Sequence, residues 1–365
     1  MAIQKGDKST ISFLERLDMN QMEPDWRMPT EYPDLSKYDT IAVDLETRDP
    51  NLTTLGPGWA RKDAYIIGIA VAAGDYKGYF PIRHETGPNL DPKLTMKWLA
   101  DVVNSPSILK IFLNAQYDMG WMRAEGVEVF GPVEDTMLMA ALVDENRWSY
   151  SLTNLGRDYV DMRKDEKLLR AAAKDWGVNP KSDMWRLPAK YVGTYAEQDA
   201  VLTLKLHEAM HIEIRKQQLE NILRLENRLI RPVLDMRTTG VKIDLDNVEK
   251  ARVVLEKQAA NEKAFIKHKT GLDIEPWAST SVQAIFEELN LEYPYTEADN
   301  PVPSFTKQFL STHPHEVVQA IAKLREADKA KNTFIDAILR YGHNGHIHSE
   351  FHQLKHDEGG TITGR

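Results

Sequence analysis

Asp44 and Glu46 stand two apart in Ile41-Ala42-Val43-Asp44-Leu45-Glu46, and in a strand that spacing sends both carboxylates out on one face. Adjacent acids repel. An apolar strand tolerates them either as the wet outer face of a domain edge or around a cation, and in a chain without cysteine a hard divalent ion such as Mg²⁺ is the natural candidate. The same lack excludes disulfides, thiolate zinc sites and cysteine nucleophiles, so any metal must be held by oxygen or imidazole. Asp118 ends Asn114-Ala115-Gln116-Tyr117-Asp118, just past the apolar run Ile108 to Leu113. A helix opening there would favour a carboxylate in its first turn through its dipole, so capping competes with chemistry. Tyr195 and Asp199 lie one helical turn apart in Tyr195-Ala196-Glu197-Gln198-Asp199 and share a face.

The elements that must position these groups can be read from periodicity. Thr40 to Glu46, Ala64 to Ala73 and Gly78 to Ile82 read as strands, with Gly74 and Asp75 turning between the last two, which predicts an antiparallel meander. Leu94 to Val103 has helical spacing, Ile108 to Leu113 reads as a strand, and a helix starts near Ala115. Beyond Asp135 helices dominate: Thr136 to Val143, Leu152 to Asp158, Glu166 to Lys174 and a long one from about Ala189. A change follows where Ile222, Leu225, Leu229, Val233 and Met236 form one apolar helical stripe, interrupted by Pro232 and ended by Gly240. Val248 to His268, Thr280 to Leu289 and His315 to Arg340 also read as helices, and the last twenty residues return to strand-like alternation.

A length of 365 residues argues for two or three domains. With 42% hydrophobic and 28% charged residues the composition is that of an ordinary globular protein, and no apolar run approaches the roughly 20 residues of a membrane span. Acids at Asp7, Glu15, Asp18, Glu23 and Asp25, with no apolar stretch among them, argue against a secretory signal. A cytoplasmic location and no membrane partner are expected. Residues 1 to 150 hold 23 acidic against 15 basic side chains, and 151 to 365 hold 32 against 31, so almost all of the net charge of −9 lies in the first part. Taken alone, that front half speaks against a phosphate-binding surface.

The carboxylates and the tyrosine together change that reading. Asp-x-Glu on the first strand, Asn-x-x-x-Asp after a later strand and Tyr-x-x-x-Asp on a late helix resemble, in that order, the DEDD-group 3′-to-5′ exonucleases of the tyrosine subtype. Asp135-Thr136-Met137-Leu138 and Ser151-Leu152-Thr153-Asn154-Leu155 agree with it. The resemblance implies an α/β, ribonuclease-H-like fold and two divalent metal ions, Mg²⁺ or Mn²⁺. Asp44, Glu46 and Asp199 would hold the ion that carries the attacking water. Asp44 would bridge to a second ion that Asp118 supports through water, Tyr195 would orient the nucleophile, and Thr47 and Asn114 would contact the terminal nucleotide. Phosphodiester hydrolysis needs an activated water and a stabilised leaving oxygen, which two ions roughly 3.5–4 Å apart can supply.

Glu226-Asn227-Arg228-Leu229-Ile230-Arg231-Pro232-Val233-Leu234 followed by Gly240-Val241-Lys242-Ile243-Asp244 is similar to the entry into the thumb of family A DNA polymerases. The likeness continues through Ser279 to Gln283, Lys323 to Thr333 and His346 to Gln353, and ends at Thr361-Ile362-Thr363-Gly364-Arg365. Residues 1–36, rich in Pro and Met with Pro24, Pro29 and Pro33 too close for a helix, read as a leader lying on the surface, and the likeness implies the exonuclease at 37–210, a mainly helical thumb-like domain at 211–345 and a truncated palm segment at 346–365, with Arg365 a substrate contact. Lys307, Lys323, Arg325, Lys329, Lys331 and Arg340 would grip duplex phosphates, although a solvated helix face explains them nearly as well. His356-Asp357-Glu358 imitates a palm motif but lies before Thr361, not far after it. His346, His348 and His352 alternate as a Zn²⁺ or Ni²⁺ site would, and read better as an ordinary palm strand.

The function so implied is a proofreading-type 3′-to-5′ DNA exonuclease belonging to a split or truncated, phage-like family A polymerase, without polymerase activity alone. Its partners would be single-stranded DNA 3′ ends, primer-template DNA and a second polypeptide supplying palm and fingers. The alternatives are a free-standing ribonuclease-D-like nuclease and a non-catalytic DNA-binding or assembly subunit.

Overall fold

The computed structural model describes residues 24–354, which fall into two compact units: 24–239 with 350–354, and 240–349. The first is built on a five-stranded sheet of order β3-β2-β1-β4-β5, from β1 (Thr40–Arg48), β2 (Tyr65–Ala73), β3 (Tyr76–Pro81), β4 (Leu109–Phe112) and β5 (Val133–Asp135). β1, β2 and β3 are antiparallel, whereas β4 and β5 run parallel to β1. This is the meander followed by alternating helix and strand that the sequence predicts. β5 escapes that reading, because three residues are too few to show a period.

The two faces of β1 differ in kind. Val43 and Leu45 join a large core with Ile66, Phe80, Leu99, Phe112 and Trp121. The face bearing Asp44 and Glu46 is lined by Ala42, Ala70 and Ala72, which meet Ala196 and Ala200 of the long helix that crosses it. Small side chains on both partners let helix and sheet approach closely, and that approach brings a helical carboxylate over the strand. Gly68, opposite Glu46, has no room for a side chain, because an added Cβ would lie 2.1 Å from the Tyr79 hydroxyl.

The longer helices of this unit are α1 (Pro92–Val103), α2 (Ala115–Ala124), α3 (Thr136–Val143), α4 (Leu152–Val160), α5 (Lys167–Trp176), α6 (Gly193–Lys216) and α7 (Glu220–Thr239). α1 starts on Asp91, whose side chain accepts from the Leu94 N–H, with Pro92 at the first helical position. α6 begins later than Ala189 suggests, because 310 turns at Met184–Arg186 and Ala189–Tyr191 precede it.

Several segments differ in detail from their sequence reading. α7 runs through Pro232 and packs onto the first unit with Leu223, Ile230 and Leu234, while Ile222, Leu225, Leu229 and Met236 are 36–51% exposed. The stripe read from the sequence is therefore its outer face, and the two compact units divide at Gly240. The described part of the leader runs over the surface of the first unit and is anchored to it: Trp26 and Leu35 are buried, and the Trp98 indole donates to the Pro33 carbonyl. Of the expected palm strand only His346–Ile347 is extended, and Glu350 to Leu354 return to the first unit, where Gln353 donates to the Glu226 carboxylate.

The second unit is mainly helical, with α8 (Leu245–Thr270), α9 (Ser279–Glu288), α10 (Lys307–Thr312), α11 (Glu316–Lys329) and α12 (Asp336–Tyr341). α11 and α12 are joined by a π-helical stretch, Ala330–Ile335, where the sequence predicts one helix. Its core centres on Ile266, Phe286, Phe305, Leu310, Ile321 and Leu324. β6 (Val241–Lys242), β7 (Gly342–His343) and β8 (His346–Ile347) form a small sheet of order β6-β8-β7. No helix among the described residues is long and apolar enough to cross a membrane.

Candidate active site

Asp44, Glu46 and Asp199 each offer a carboxylate oxygen, and the three lie within 4.8 Å of one another. The first two come from β1 and the third from α6, on the alanine-lined face described above. A register shift in the β1–β2 ladder falls between Glu46 and Thr47, a bulge of the kind that re-aims side chains beside functional sites. It leaves the Thr47 hydroxyl 2.6 Å from the Tyr117 hydroxyl.

Asp118 takes a different position from the other three acids. It stands in the first turn of α2, buried, and its Oδ1 accepts from the Leu45 N–H at 3.1 Å, between Asp44 and Glu46. It is outside the three-carboxylate group but close enough for Asp44 to raise its pKa. Asn114, just before α2, has the left-handed conformation at φ 69°, which Asn tolerates better than most residues. Its N–H and that of Ala115 donate to the Asp135 carboxylate at 3.0 and 2.7 Å. Asp135 thus pins the turn that delivers both Asn114 and Asp118. Arg365 and the other residues of Thr361 to Arg365, with His356 to Glu358, lie outside the described residues.

The electrostatics of the group demand a cation. Burial, and then the Asp199 charge, push Asp44 up to about 7; burial and the charges of Asp44 and Asp199 hold Glu46 well above the carboxylate range. Burial also raises Asp118 and Asp199. Lys164, which sequence reasoning missed, supplies part of the answer: its Nζ donates to Asp199 Oδ2 at 2.5 Å and to the Tyr195 hydroxyl at 3.1 Å, and lies over the Tyr195 ring. One ammonium does not balance four acids. Asp199 Oδ1 is buried with no hydrogen-bond partner, an exception that calls for a ligand. A hard divalent ion fits this oxygen-only donor set. The Tyr195 phenol is held far above its usual pKa by burial and the three acids, so it can donate a hydrogen bond but is no base.

Beside Lys164 an open groove is lined by Arg163, Lys167, Arg170 and Lys181, together with Asp165 and Glu166. Lys164 sits in a mixed-charge run, Arg163-Lys164-Asp165-Glu166-Lys167, with no spacing that sets it apart from solvated surface charges, which is why it gave no signal. Of the histidines of the expected palm strand, His346 bonds the Asn344 carbonyl and its ring lies 6.3 Å from that of His348 in the second unit, and His352 pairs with Glu350 in the first.

A family described as 3′-5′ exonuclease matches residues 32–215. A DNA-directed DNA polymerase of Pseudomonas phage M6 is 32% identical over 356 residues, covering 94% of this chain and 53% of its own length. A DNA polymerase of Acinetobacter phage SH-Ab 15497 is 28% identical over 92% of the chain and 55% of its own length, and the DNA polymerase I of Synechocystis sp. is 25% identical over 90% and 32%. The chain thus spans about half the length of its phage relatives. Among solved structures, the polymerase domain of Pol1 from M. smegmatis, in complex with DNA primer-template and dNTP, matches with a TM-score of 0.65 at 20% identity, over 87% of this chain and 50% of that one. Sheet order, converging acids and family match agree: the chain belongs to the family A DNA polymerases through their 3′-5′ exonuclease domain.

Proposed function

We propose that the first unit removes nucleotides from DNA 3′ ends by a metal-dependent hydrolysis centred on Asp44, Glu46, Asp118, Tyr195 and Asp199. The observation that carries this reading is the convergence of the Asp44, Glu46 and Asp199 carboxylates, with one buried Asp199 oxygen unpartnered. Two bound divalent ions, Mg²⁺ or Mn²⁺, would supply an activated water and charge stabilisation for the leaving 3′-oxygen. Asp44, Glu46 and Asp199 would hold one ion, with Asp44 and Asp118 serving the other.

The remaining residues position and admit the substrate. Tyr195 donates its hydroxyl to orient the attacking oxygen, since its raised pKa bars it from taking a proton at neutral pH. Thr47, fixed by Tyr117, and Asn114, fixed through Asp135, face the terminal nucleotide. Arg163, Lys167 and Lys181 draw the phosphate backbone to an otherwise acidic unit.

The test is a gel of 3′-labelled single-stranded DNA and RNA with and without Mg²⁺. Metal-dependent shortening of DNA from its 3′ end is the expected result, and RNA degraded faster than DNA would move the protein to the ribonuclease-D-like reading. Polymerisation, the activity named for its relatives, calls on length that this chain does not cover, as a continuation or as a second polypeptide. Among the described residues of the second unit no three metal-ligating side chains converge. The chain alone is expected not to extend a primer, and extension by it would refute that.

A further inference from the structure

We infer that Glu134, His207 and His211 form a second metal site, apart from the catalytic carboxylates, that takes one transition-metal ion of the Zn²⁺ class and ties β5 to α6. His207 and His211 are one turn apart on α6, and Glu134 comes from the edge strand β5. Glu134 Oε2 lies 2.7 Å from each imidazole Nε2, and the two Nε2 atoms are 3.1 Å apart. From Asp199 to His207 is eight residues, roughly 12 Å along a helix at about 1.5 Å per residue.

Without an ion every tautomer leaves one contact unfavourable. If both Nε2 atoms carry protons to bond Glu134, two N–H donors face each other; if either does not, its lone pair faces the carboxylate oxygen. A cation that accepts all three lone pairs removes the conflict, with the imidazole protons kept on Nδ1 and the displaced ones released to solvent. Tetrahedral zinc, with ligands at roughly 2.0–2.1 Å, separates its donor atoms by about 3.3 Å. The present triangle need open by only about 0.2 Å between the imidazoles and about 0.6 Å along the edges to Glu134. Two imidazoles and a carboxylate with a fourth position for water suit Zn²⁺, Co²⁺ or Ni²⁺ and disfavour Mg²⁺, which seeks oxygen.

Strand β5 also begins the turn to α3 with Asp135, the residue that pins Asn114 and Ala115. An ion joining its neighbour Glu134 to α6 would brace the helix that carries Tyr195 and Asp199. It would act as a staple rather than in the chemistry.

The experiment uses the full chain carrying Asp44→Asn and Glu46→Gln, so that the catalytic group cannot take up the ion. Co²⁺ titration, read by the visible absorption of tetrahedral coordination, should give one ion per chain that excess Zn²⁺ displaces and excess Mg²⁺ does not. Adding His211→Gln should weaken binding on the order of 100-fold; this side chain is 27% exposed, so the fold should survive, as circular dichroism would verify. Zn²⁺ should raise the melting temperature of the parent and not of that variant. Uptake unchanged by both His207→Gln and His211→Gln, or no tetrahedral uptake by the chain with all three ligands, would overturn the site.

Discussion

At the scale of single residues, Asp44 and Lys164 hold opposite ends of one balance. Asp44→Asn should bring DNA hydrolysis to background, because it removes an oxygen proposed above to hold the metal, and should raise the metal-free melting temperature by a few degrees. The sign follows from the folded pKa of about 7, above the roughly 3.9 of an unfolded aspartate. The native state holds this proton more tightly, so the metal-free protein loses stability as pH rises from about 4 to about 7. Melting curves in EDTA should show that slope, and the variant should flatten it. Lys164→Met should act in reverse, lowering stability in EDTA, since Asp199 loses its partner, and lowering the Mg²⁺ concentration for half-maximal activity, since a competing cation is gone. A variant equally stable in EDTA would remove Lys164 from this role. Tyr195→Phe should slow hydrolysis roughly 10²–10⁴-fold with metal binding intact by calorimetry.

Among the elements, α7 shows how a correct period can name the wrong face. Ile222, Leu225, Leu229 and Met236 recur at helical spacing, yet the buried set is Leu223, Ile230 and Leu234 with Asn227 and Arg237. Polar residues obscure the inner stripe: the Asn227 side chain accepts from the Asp135 N–H, and Arg237 stacks on Trp59 and pairs with Glu350. Long-range partners of that kind are invisible in local spacing. Leu234→Ala should cost about 2–5 kcal/mol by thermal or denaturant unfolding, and Leu225→Ser within about 0.5 kcal/mol of nothing. The opposite order would restore the stripe read from sequence. By contrast β1, β2 and the start of α2 were legible, because alternation around Asp44 and Glu46 and the Asn114 to Asp118 run are local signals. What sequence could not supply was Lys164 in a charged loop, Asp135 as a brace, and the outlying place of Asp118, each fixed by packing between distant segments.

For the whole molecule, the proposed function gives the two compact units different work. Every described residue assigned to hydrolysis lies in the first unit, while the six cations proposed to grip duplex phosphates lie in the second and are not equivalent. Arg325 is spent internally, donating to the carbonyls of Pro276 and Phe305 and stacking on Trp277, and Lys331 pairs with Asp336. Lys307, Lys323 and Lys329 are exposed and free to meet a phosphate. Replacing Lys323 and Lys329 together by Gln should therefore leave shortening of a short single strand unchanged but weaken primer-template binding. If each lysine neutralises one phosphate, the slope of log affinity against log salt should fall by about 2. Arg325→Gln, which strips two carbonyls of their donor, should lower the melting temperature instead and leave that slope as it was. Equal loss of single-strand hydrolysis and duplex binding in the double lysine variant would mean that the second unit serves the nuclease, and the division of labour would fall.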